Sequence, residues 1–412
     1  MENSRSLALA PAGAHAQGLH TRVSPLGDTP SVHWDPMSDN ALPPVRLRAD
    51  VLAVPAYRQG AAPSAAGFKL SSNENPFAPL PGVADAIASR GDVNRYAAAA
   101  MPELRAAIGA EFGVSGEYVH LAAGSVAILY QLVHAAAGHG DSYMYAWPSF
   151  EAYPSLGLAS GATPAGIALT ATAEHDLDAM ADAITERTRV ILLCTPNNPT
   201  GPALRRADFD RFMARVPSDT LVVLDEAYRE FVTDPAAVRG EDVLSAHPNL
   251  VVLRTFSKAY GLAGLRIGYG VGDPAIFRAA ASVAIPLSVT GIAESAALAS
   301  LTPEAREVHT ERVATIVDRR DRLVAGLREL GIAVPDAQGN FVWIPEAADL
   351  GTPAAAAGVP DALALAAAFA AVGTLVRPFA GKGVRISVGE EDSLALIIDT
   401  VREFLAQLGG AA

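Results

Sequence analysis

The sequence predicts an α/β protein with a mainly parallel central sheet. Three apolar runs, at residues 190–194, 221–224 and 250–253, have the length and β-branched content of buried strands. A helical pattern at residues 205–216 separates the first two runs. Strands that alternate with helices pair in parallel through right-handed crossovers. The three runs are therefore expected to lie in one sheet.

The amino-acid composition limits which kinds of partner the protein can bind. The chain has 412 residues, of which 50% are hydrophobic and 18% charged, which is typical of a folded protein with more than one domain. A net charge of −13 without a basic stripe argues against binding to nucleic acid or to an anionic membrane. The single cysteine, Cys194, excludes an intrachain disulfide and fits a cytoplasmic location. Because it ends an apolar run, Cys194 is expected to be buried and not a nucleophile.

The N-terminal segment carries no periodic pattern. Residues 1–45 are rich in Pro, Ser, Gly and Ala and are predicted to be a disordered tail. Residues 7–16 resemble a secretory signal only weakly, because Glu2 precedes them and Pro11 interrupts the apolar part. Met37 is an alternative start, which is a hypothesis.

The elements before the three strands follow from periodicity and turn residues. The chain begins with an extended arm at 47–60. Helices and strands then alternate: helices are predicted at 83–88, 102–112, 127–137 and 177–184, and strands at 118–121, 143–147 and 161–169.

The elements after them indicate a smaller α+β domain. Residues 268–272 are predicted to be turn-rich, and helices at 277–284 and 293–301 come next. A long helix at 304–330 ends at Gly331 and is expected to bridge two domains. Strands are predicted at 341–344, 375–377 and 384–388. The alanine-rich segment 354–372 contains Pro360 and Asp361, so a packed helix is preferred to a membrane span.

Three polar residues follow the ends of the three predicted parallel strands. They are Asn198, Asp225 and Lys258. In parallel sheets, ligands bind outside the carboxyl ends of the strands, so these side chains are expected to converge on one ligand. A lysine at such a position can be desolvated, lose its proton and attack a carbonyl to form a Schiff base. Taken singly, Lys258 would be interpreted as a solvated loop residue.

The set of residue types suits one cofactor, pyridoxal phosphate. Its aldehyde needs a lysine, and its ring nitrogen needs a carboxylate to remain protonated as an electron sink. Asn198 and Tyr228 can donate to the phenolate oxygen. Arg266, Ser257 and the small-residue turn at 124–126, which opens a helix, offer donors to a phosphate. Phe150 follows a predicted strand and could stack on the ring.

Four motifs resemble one known family. They are Asn-Glu-Asn-Pro at 73–76, Pro-Asn-Asn-Pro-Thr-Gly at 196–201, Asp-Glu-Ala-Tyr at 225–228 and Ser-Lys-Ala-Tyr-Gly-Leu-Ala-Gly-Leu-Arg at 257–266. Together they resemble the histidinol-phosphate aminotransferase family of class-II, fold-type-I, pyridoxal-phosphate-dependent enzymes. The resemblance runs from about residue 47 to the C-terminus. It implies a large cofactor-binding domain at 95–302, a small domain built from part of 46–94 and from 303–412, and a homodimer with the site at its interface.

The resemblance also implies roles for individual residues. Lys258 would form the Schiff base and move the proton, and Asp225 would hold the pyridine nitrogen. Asn198 and Tyr228 would hold the phenolate oxygen, and Phe150 would stack on the ring. The phosphate would be bound by Ser125, Val126, Ser257 and Arg266, together with Tyr96 from the neighbouring subunit. The sequence departs from the family pattern after Tyr96, where it continues as Ala97-Ala98-Ala99-Ala100.

Substrate residues are implied in the same way. Arg385 would bind the α-carboxylate as a bidentate partner. Arg377, Asn340 and Tyr57 would line the substrate site. No residue is assigned to a metal.

Within the family, three segments favour an aromatic substrate. Residues 124–126 and 147–154, with Arg377–Phe379, resemble the actinobacterial aromatic amino acid (phenylalanine) aminotransferases. The expected reaction moves the amino group of phenylalanine, tyrosine or tryptophan to 2-oxoglutarate by a ping-pong mechanism, giving aryl pyruvate and glutamate. Histidinol phosphate is the alternative substrate. A decarboxylase or lyase of the same fold, or a non-catalytic regulator, is less favoured.

Overall fold

The computed structural model describes residues 45–54, 67–98, 100–347 and 358–409. The described residues fall into two compact units, one that ends at Leu52 and one that begins at Ala53. In the first unit, a short helix, α1, covers Ala49–Leu52. The prediction of an extended arm is therefore wrong for these residues, since Asp50 in the first turn complements the helix dipole. Tyr57 lies outside the described residues.

The second unit alternates helices and strands along the chain. In order, they are α2 (Val83–Ala88), α3 (Pro102–Glu111), β1 (Val119–Ala122), α4 (Ser125–Ala136), β2 (Ser142–Trp147), β3 (Thr163–Ala168), α5 (Leu177–Asp182), β4 (Thr188–Cys194), α6 (Arg206–Met213), β5 (Leu221–Asp225), α7 (Gly240–Val243), β6 (Leu250–Thr255), β7 (Gly268–Val271), α8 (Pro274–Ser282), α9 (Gly291–Ser300), α10 (Pro303–Glu329), β8 (Phe341–Pro345), α11 (Ala362–Ala371), β9 (Arg377–Phe379), β10 (Gly383–Ser387) and α12 (Ser393–Gly409).

The larger sheet is mainly parallel, as predicted. Within the described residues it has seven strands in the order β1-β7-β6-β5-β4-β2-β3, and only the pairs that involve β7 are antiparallel. The three predicted strands β4, β5 and β6 are neighbours. Cys194 lies opposite Asp225, and Asp225 lies opposite Leu253, so the three strands end together. This register brings their following loops to one edge of the sheet.

Strand β7 corrects the prediction of a turn at residues 268–272. Its glycines permit close approach and do not mark a bend. A Cβ at Gly268 would lie 2.3 Å from the backbone nitrogen of Ser125, and one at Gly270 would lie 3.0 Å from the side chain of Leu253. Because a larger residue would push α4 and β6 away, glycine holds the start of α4 against the sheet.

Helices cover both faces of the larger sheet. Along β4, Ile191 and Leu193 face one buried cluster, whereas Val190, Leu192 and Cys194 face another. The first cluster includes residues of α3, α5, α6 and α9, and the second includes residues of α4 and α8. This alternation is that of a strand buried on both faces.

A second, antiparallel sheet has the order β8-β10-β9 within the described residues. Its core contains Leu323 of α10, Leu365 of α11 and Ile397 of α12. The strand predicted at 375–377 begins two residues later, at Arg377. Leu375 instead exchanges backbone hydrogen bonds with the segment before the first motif, at Phe68 and Leu70.

The long helix α10 packs against both sheets. Ala305 belongs to a core of the larger sheet and Ile316 to the core of the smaller one, as expected for a bridging helix. The predicted domain boundary at 302–303 falls at its N-terminus, and the division into domains remains a prediction. The alanine-rich helix α11 buries Ala362, Leu365 and Phe369. None of the helices in the described part of the chain has the length and apolar character to span a membrane.

Candidate active site

A cavity of about 130 Å³ opens at the carboxyl ends of β4, β5 and β6. Nine of the ten residues predicted to bind the cofactor line it: Ser125, Val126, Phe150, Asn198, Asp225, Tyr228, Ser257, Lys258 and Arg266. They come from the start of α4, the end of β5 and several separate loops, and the register of the strands brings them together. The expected convergence at this sheet edge is therefore seen in the structure.

Lys258 is partly buried just beyond the end of β6. Its Nζ atom donates a hydrogen bond of 3.0 Å to the backbone oxygen of Ser72 and lies 5.7 Å from the ring centroid of Tyr228. Burial, reinforced by the positive charges of Arg385 and Arg266, lowers the pKa of Lys258 to about 7. A substantial fraction of this amine is therefore neutral, and so nucleophilic, at neutral pH.

Asp225 ends β5 and is 4% exposed. Its Oδ2 atom accepts a hydrogen bond of 2.9 Å from the hydroxyl of Tyr153, whereas its buried Oδ1 atom has no hydrogen-bond partner among the described residues. Burial raises the pKa of Asp225 to about 6. A buried acceptor without a donor is costly, so the site is complete only with a ligand donor. The protonated ring nitrogen of pyridoxal phosphate is such a donor.

Three features of the same cavity form an anion site. Gly124 has a φ of +85° and precedes α4, whose first backbone N–H groups are available to a ligand. The Nη1 atom of Arg266 donates to Oγ of Ser257 at 3.3 Å. A Cβ at Gly124 would lie 2.5 Å from Nη2 of Arg266. The guanidinium therefore lies against the turn because residue 124 has no side chain, and this group of donors fits a phosphate.

Arg385 lies beside the cavity and is 6% exposed, so it is not an exposed strand residue. Its Nη1 atom donates to Oδ1 of Asn198 at 2.6 Å, and its Nη2 atom donates to the backbone oxygen of Ser71 at 2.6 Å. The arginine from the smaller sheet thus contacts a cavity residue from the larger one. A buried guanidinium next to the lysine is suited to a carboxylate.

Asn73, in the first motif, connects the two sheets. It adopts a φ of +52°, and its Nδ2 atom donates to the hydroxyl of Tyr228 at 3.0 Å. The hydroxyl of Ser387 accepts a hydrogen bond of 2.7 Å from the backbone nitrogen of Asn73. The Nδ2 atom of Asn340 donates a hydrogen bond of 3.2 Å to the backbone oxygen of Asn73. Asn340 therefore reaches the cavity through Asn73. Sequence reasoning gave Asn73 no role, although its motif marked the segment.

Tyr153 is the second residue without a predicted role. It is fully buried, and its ring packs edge-on against Phe150 at 5.6 Å while its hydroxyl bonds Asp225. The signal in the sequence was its place three residues after Phe150. A tyrosine hydroxyl is directed to a buried carboxylate here because both groups need partners in the core.

Two other predicted residues, Tyr96 and Arg377, do not line the cavity. Tyr96 is 83% exposed and does not line the cavity of its own chain. Arg377 forms an ion pair with Glu151, with N–O distances of 3.0 and 2.6 Å. A site that needs Tyr96 would therefore have to receive it from another copy.

Known proteins with similar sequences are aminotransferases. The family described as aminotransferase class I and II matches residues 66–400. The aromatic amino acid aminotransferase of Streptomyces avermitilis is 47% identical over 367 residues, which are 88% of this chain and 98% of that protein. The enzyme of the same name from Corynebacterium glutamicum is 46% identical over 345 residues, 83% of this chain and 94% of that protein.

Solved structures share the fold. Histidinol-phosphate aminotransferase from Sinorhizobium meliloti, in complex with pyridoxal-5'-phosphate, matches with a TM-score of 0.76 at 24% identity, over 90% of this chain and all of that one. Aspartate aminotransferase from Thermus thermophilus with maleate has a TM-score of 0.70 at 24% identity, over 82% of this chain and 92% of that one.

The two-sheet fold and the site at the ends of its parallel strands, together with the family match and relatives that are 44–47% identical, identify a pyridoxal-phosphate-dependent transaminase of fold type I. The chain belongs to the class I and II aminotransferase family. Pyridoxal 5'-phosphate is its cofactor.

Proposed function

We propose that the protein moves the amino group of an aromatic L-amino acid (phenylalanine, tyrosine or tryptophan) to 2-oxoglutarate, giving aryl pyruvate and L-glutamate in a ping-pong reaction. The observation that carries the transamination is the meeting of Lys258, Asp225 and Arg385 around one cavity. The aromatic substrate is supported by relatives of that name, which are 44–47% identical over more than four-fifths of this chain.

We assign the cofactor contacts to the residues that line the cavity. Bound pyridoxal phosphate supplies a carbonyl and an electron-withdrawing ring. Asp225 holds the ring nitrogen, Asn198 and Tyr228 hold the phenolate oxygen, and Phe150 stacks on the ring. Ser125, Val126, Ser257 and Arg266 bind the phosphate. The unpartnered Oδ1 atom of Asp225 supports the first of these assignments.

The remaining side chains act on the substrate. Arg385 binds the α-carboxylate with its two terminal nitrogens, which now bond Asn198 and the backbone of Ser71. Lys258 takes the α-proton as a general base and returns it as a general acid, a role that suits a pKa of about 7. Arg377 and Asn340 line the substrate side. Tyr57 keeps its predicted place there without a structural account.

The functional unit in this proposal is a homodimer. Three large apolar side chains are mostly exposed, namely Val93 at 75%, Tyr96 at 83% and Ile285 at 78%. Burying such side chains against a second copy would remove their apolar surface from water, which favours association. A second copy would cover them, and Tyr96 would reach the cofactor phosphate of that copy. The location remains the cytoplasm, as predicted from the single cysteine.

Histidinol phosphate is the second candidate. Arg377 and Arg385 face each other across β9 and β10, and two neighbouring cations favour a substrate with a second anion. Substitution Lys258→Ala tests the transamination itself. The variant is expected to release no keto acid over multiple turnovers with phenylalanine, tyrosine or histidinol phosphate. Sustained turnover would refute the assignment, and release of carbon dioxide by the wild type would indicate a decarboxylase.

A further inference from the structure

An ion pair links the loop that carries Phe150 to the smaller sheet. The Nε and Nη2 atoms of Arg377 donate to the two carboxylate oxygens of Glu151 at 3.0 and 2.6 Å. The two side chains are 21% and 26% exposed. A bidentate, partly desolvated pair is among the stronger charge interactions in proteins. Glu151 therefore neutralises Arg377 in this state of the chain.

Both members of the pair are adjacent to the active site. Arg377 on β9 lies directly opposite Arg385 on β10. Residues directly opposite on antiparallel strands project from the same face, so Arg377 shares the face from which Arg385 contacts Asn198. Glu151 directly follows Phe150, which lines the cavity. The ion pair is thus linked to the cavity at both ends, through Phe150 on one side and through Arg385 on the other.

The two substrates of the proposed reaction make opposite demands on this place. The distal carboxylate of 2-oxoglutarate or glutamate needs a cation. An aromatic ring can attract a guanidinium through its π-face but does not neutralise it, so burying the cation beside the ring without a carboxylate is costly. A carboxylate on the protein that can pair with the arginine, and be replaced by a substrate carboxylate, satisfies both demands.

We propose that Glu151 is a specificity-determining residue that pairs with Arg377 when an aromatic substrate is bound and yields it to the distal carboxylate of a dicarboxylate. The inference rests on the proposed function, because it presumes one aromatic and one dicarboxylic substrate. It gives Glu151 a role that the motifs left unassigned. A purely structural ion pair would stabilise the fold without altering the choice between ligands.

The test is equilibrium binding of two unreactive acids to the holoenzyme, glutarate and 3-phenylpropionate. Replacing Glu151 with Gln keeps the shape and removes the charge. The variant is expected to shift the ratio of the two dissociation constants at least about tenfold in favour of glutarate, equivalent to about 1.4 kcal/mol. A ratio within about twofold of the wild-type value would overturn the inference.

A reciprocal variant and a matched control sharpen the result. Arg377→Gln is expected to weaken the binding of glutarate at least about tenfold, while the affinity for 3-phenylpropionate changes little. If Glu151→Gln does not fold, unchanged glutarate binding in Arg377→Gln overturns the inference on its own. Glu391→Gln is the control, because Glu391 forms a bidentate pair with Arg322 at 2.7 Å on the protein surface, and both constants should stay at their wild-type values.

Measurements on the wild type distinguish a failure of the proposed function from a failure of the role given to Glu151. A wild-type holoenzyme that neither binds 3-phenylpropionate nor transaminates phenylalanine contradicts the proposed function, and the inference falls with it. A wild type that does both, combined with an unchanged ratio in Glu151→Gln, contradicts the inference alone.

Discussion

The hydroxyl of Tyr153 donates a hydrogen bond of 2.9 Å to Oδ2 of Asp225, and both side chains are buried. Burial raises the pKa of Asp225, and this hydrogen bond opposes the rise by favouring the ionised carboxylate. Tyr153 therefore keeps negative charge on the group assigned to the cofactor nitrogen. It does so without lining the cavity itself.

Tyr153→Phe is expected to weaken the binding of pyridoxal phosphate about tenfold, because a lost hydrogen bond to a buried charged group costs about 1.5–3 kcal/mol. Titrating the apoenzyme with pyridoxal phosphate measures this change in the dissociation constant. Tyr143→Phe is the matched control, since that hydroxyl donates to the backbone of Pro154 at 2.9 Å. Equal affinity in the wild type and Tyr153→Phe would contradict the role.

Lys258 should react as a neutral amine near neutral pH. Burial lowers its pKa to about 7, so modification of the apoenzyme by an amine-selective reagent is expected to rise through a midpoint near pH 7. Peptide mapping follows this residue apart from other lysines, such as Lys382. A midpoint near pH 10 would show that the amine is not desolvated.

The same shift predicts a dependence of stability on pH. Between pH 7 and about 10.4, the folded apoenzyme binds fewer protons at this residue than the unfolded chain does. The penalty from burying Lys258 is therefore fully present below pH 7 and is lost as the pH rises toward 10. Relative to Lys258→Met, the wild-type free energy of unfolding in urea should increase over this range. A constant difference would argue against the lowered pKa.

Gly124→Ala is expected to reduce cofactor affinity at least about tenfold, because the added methyl overlaps the guanidinium of Arg266 and displaces it from the anion site. Gly331→Ala is the control. Gly331 has nearly the same φ, +86°, but open space around it, so it carries the backbone strain of about 1 kcal/mol without the clash. Equal cofactor affinities for the two variants would sink the assignment.

The homodimer can be tested at the exposed apolar residues. Ile285→Asp is expected to shift the protein to monomers in sedimentation experiments, since it places a charge at an apolar position that a second copy would cover in the proposed dimer. Tyr96→Phe should keep the dimer and weaken cofactor binding, because only the hydroxyl is lost. Leu363→Asp, at an exposed position on α11, is the control. A wild-type monomer at micromolar concentration would contradict the proposal.

Much of the site could be predicted because parallel pairing fixes where strand ends lie. Asp225 ends β5, Asn198 and Lys258 follow β4 and β6, and the register of these strands brings the three side chains together. The motifs then singled out Ser257 and Arg266, whose contact the structure contains. Local pattern and sheet topology agreed at these positions, so the inference was robust.

The rest depended on tertiary contacts that no local pattern encodes. Gly268 and Gly270 resemble turn residues, yet they form β7 because α4 and β6 need space there. The partners of Tyr153 and Glu151 lie 72 and 226 residues away in sequence. Without a period or a motif to join them, such pairs become visible only in three dimensions.

The most direct test of the account compares amino donors for the wild-type holoenzyme with 2-oxoglutarate as acceptor. Values of kcat/KM would be measured side by side for phenylalanine, tyrosine and histidinol phosphate. The kcat/KM for phenylalanine or tyrosine is expected to exceed that for histidinol phosphate by about a hundredfold or more, a ratio within the discrimination that side-chain pockets achieve. A preference for histidinol phosphate would contradict it.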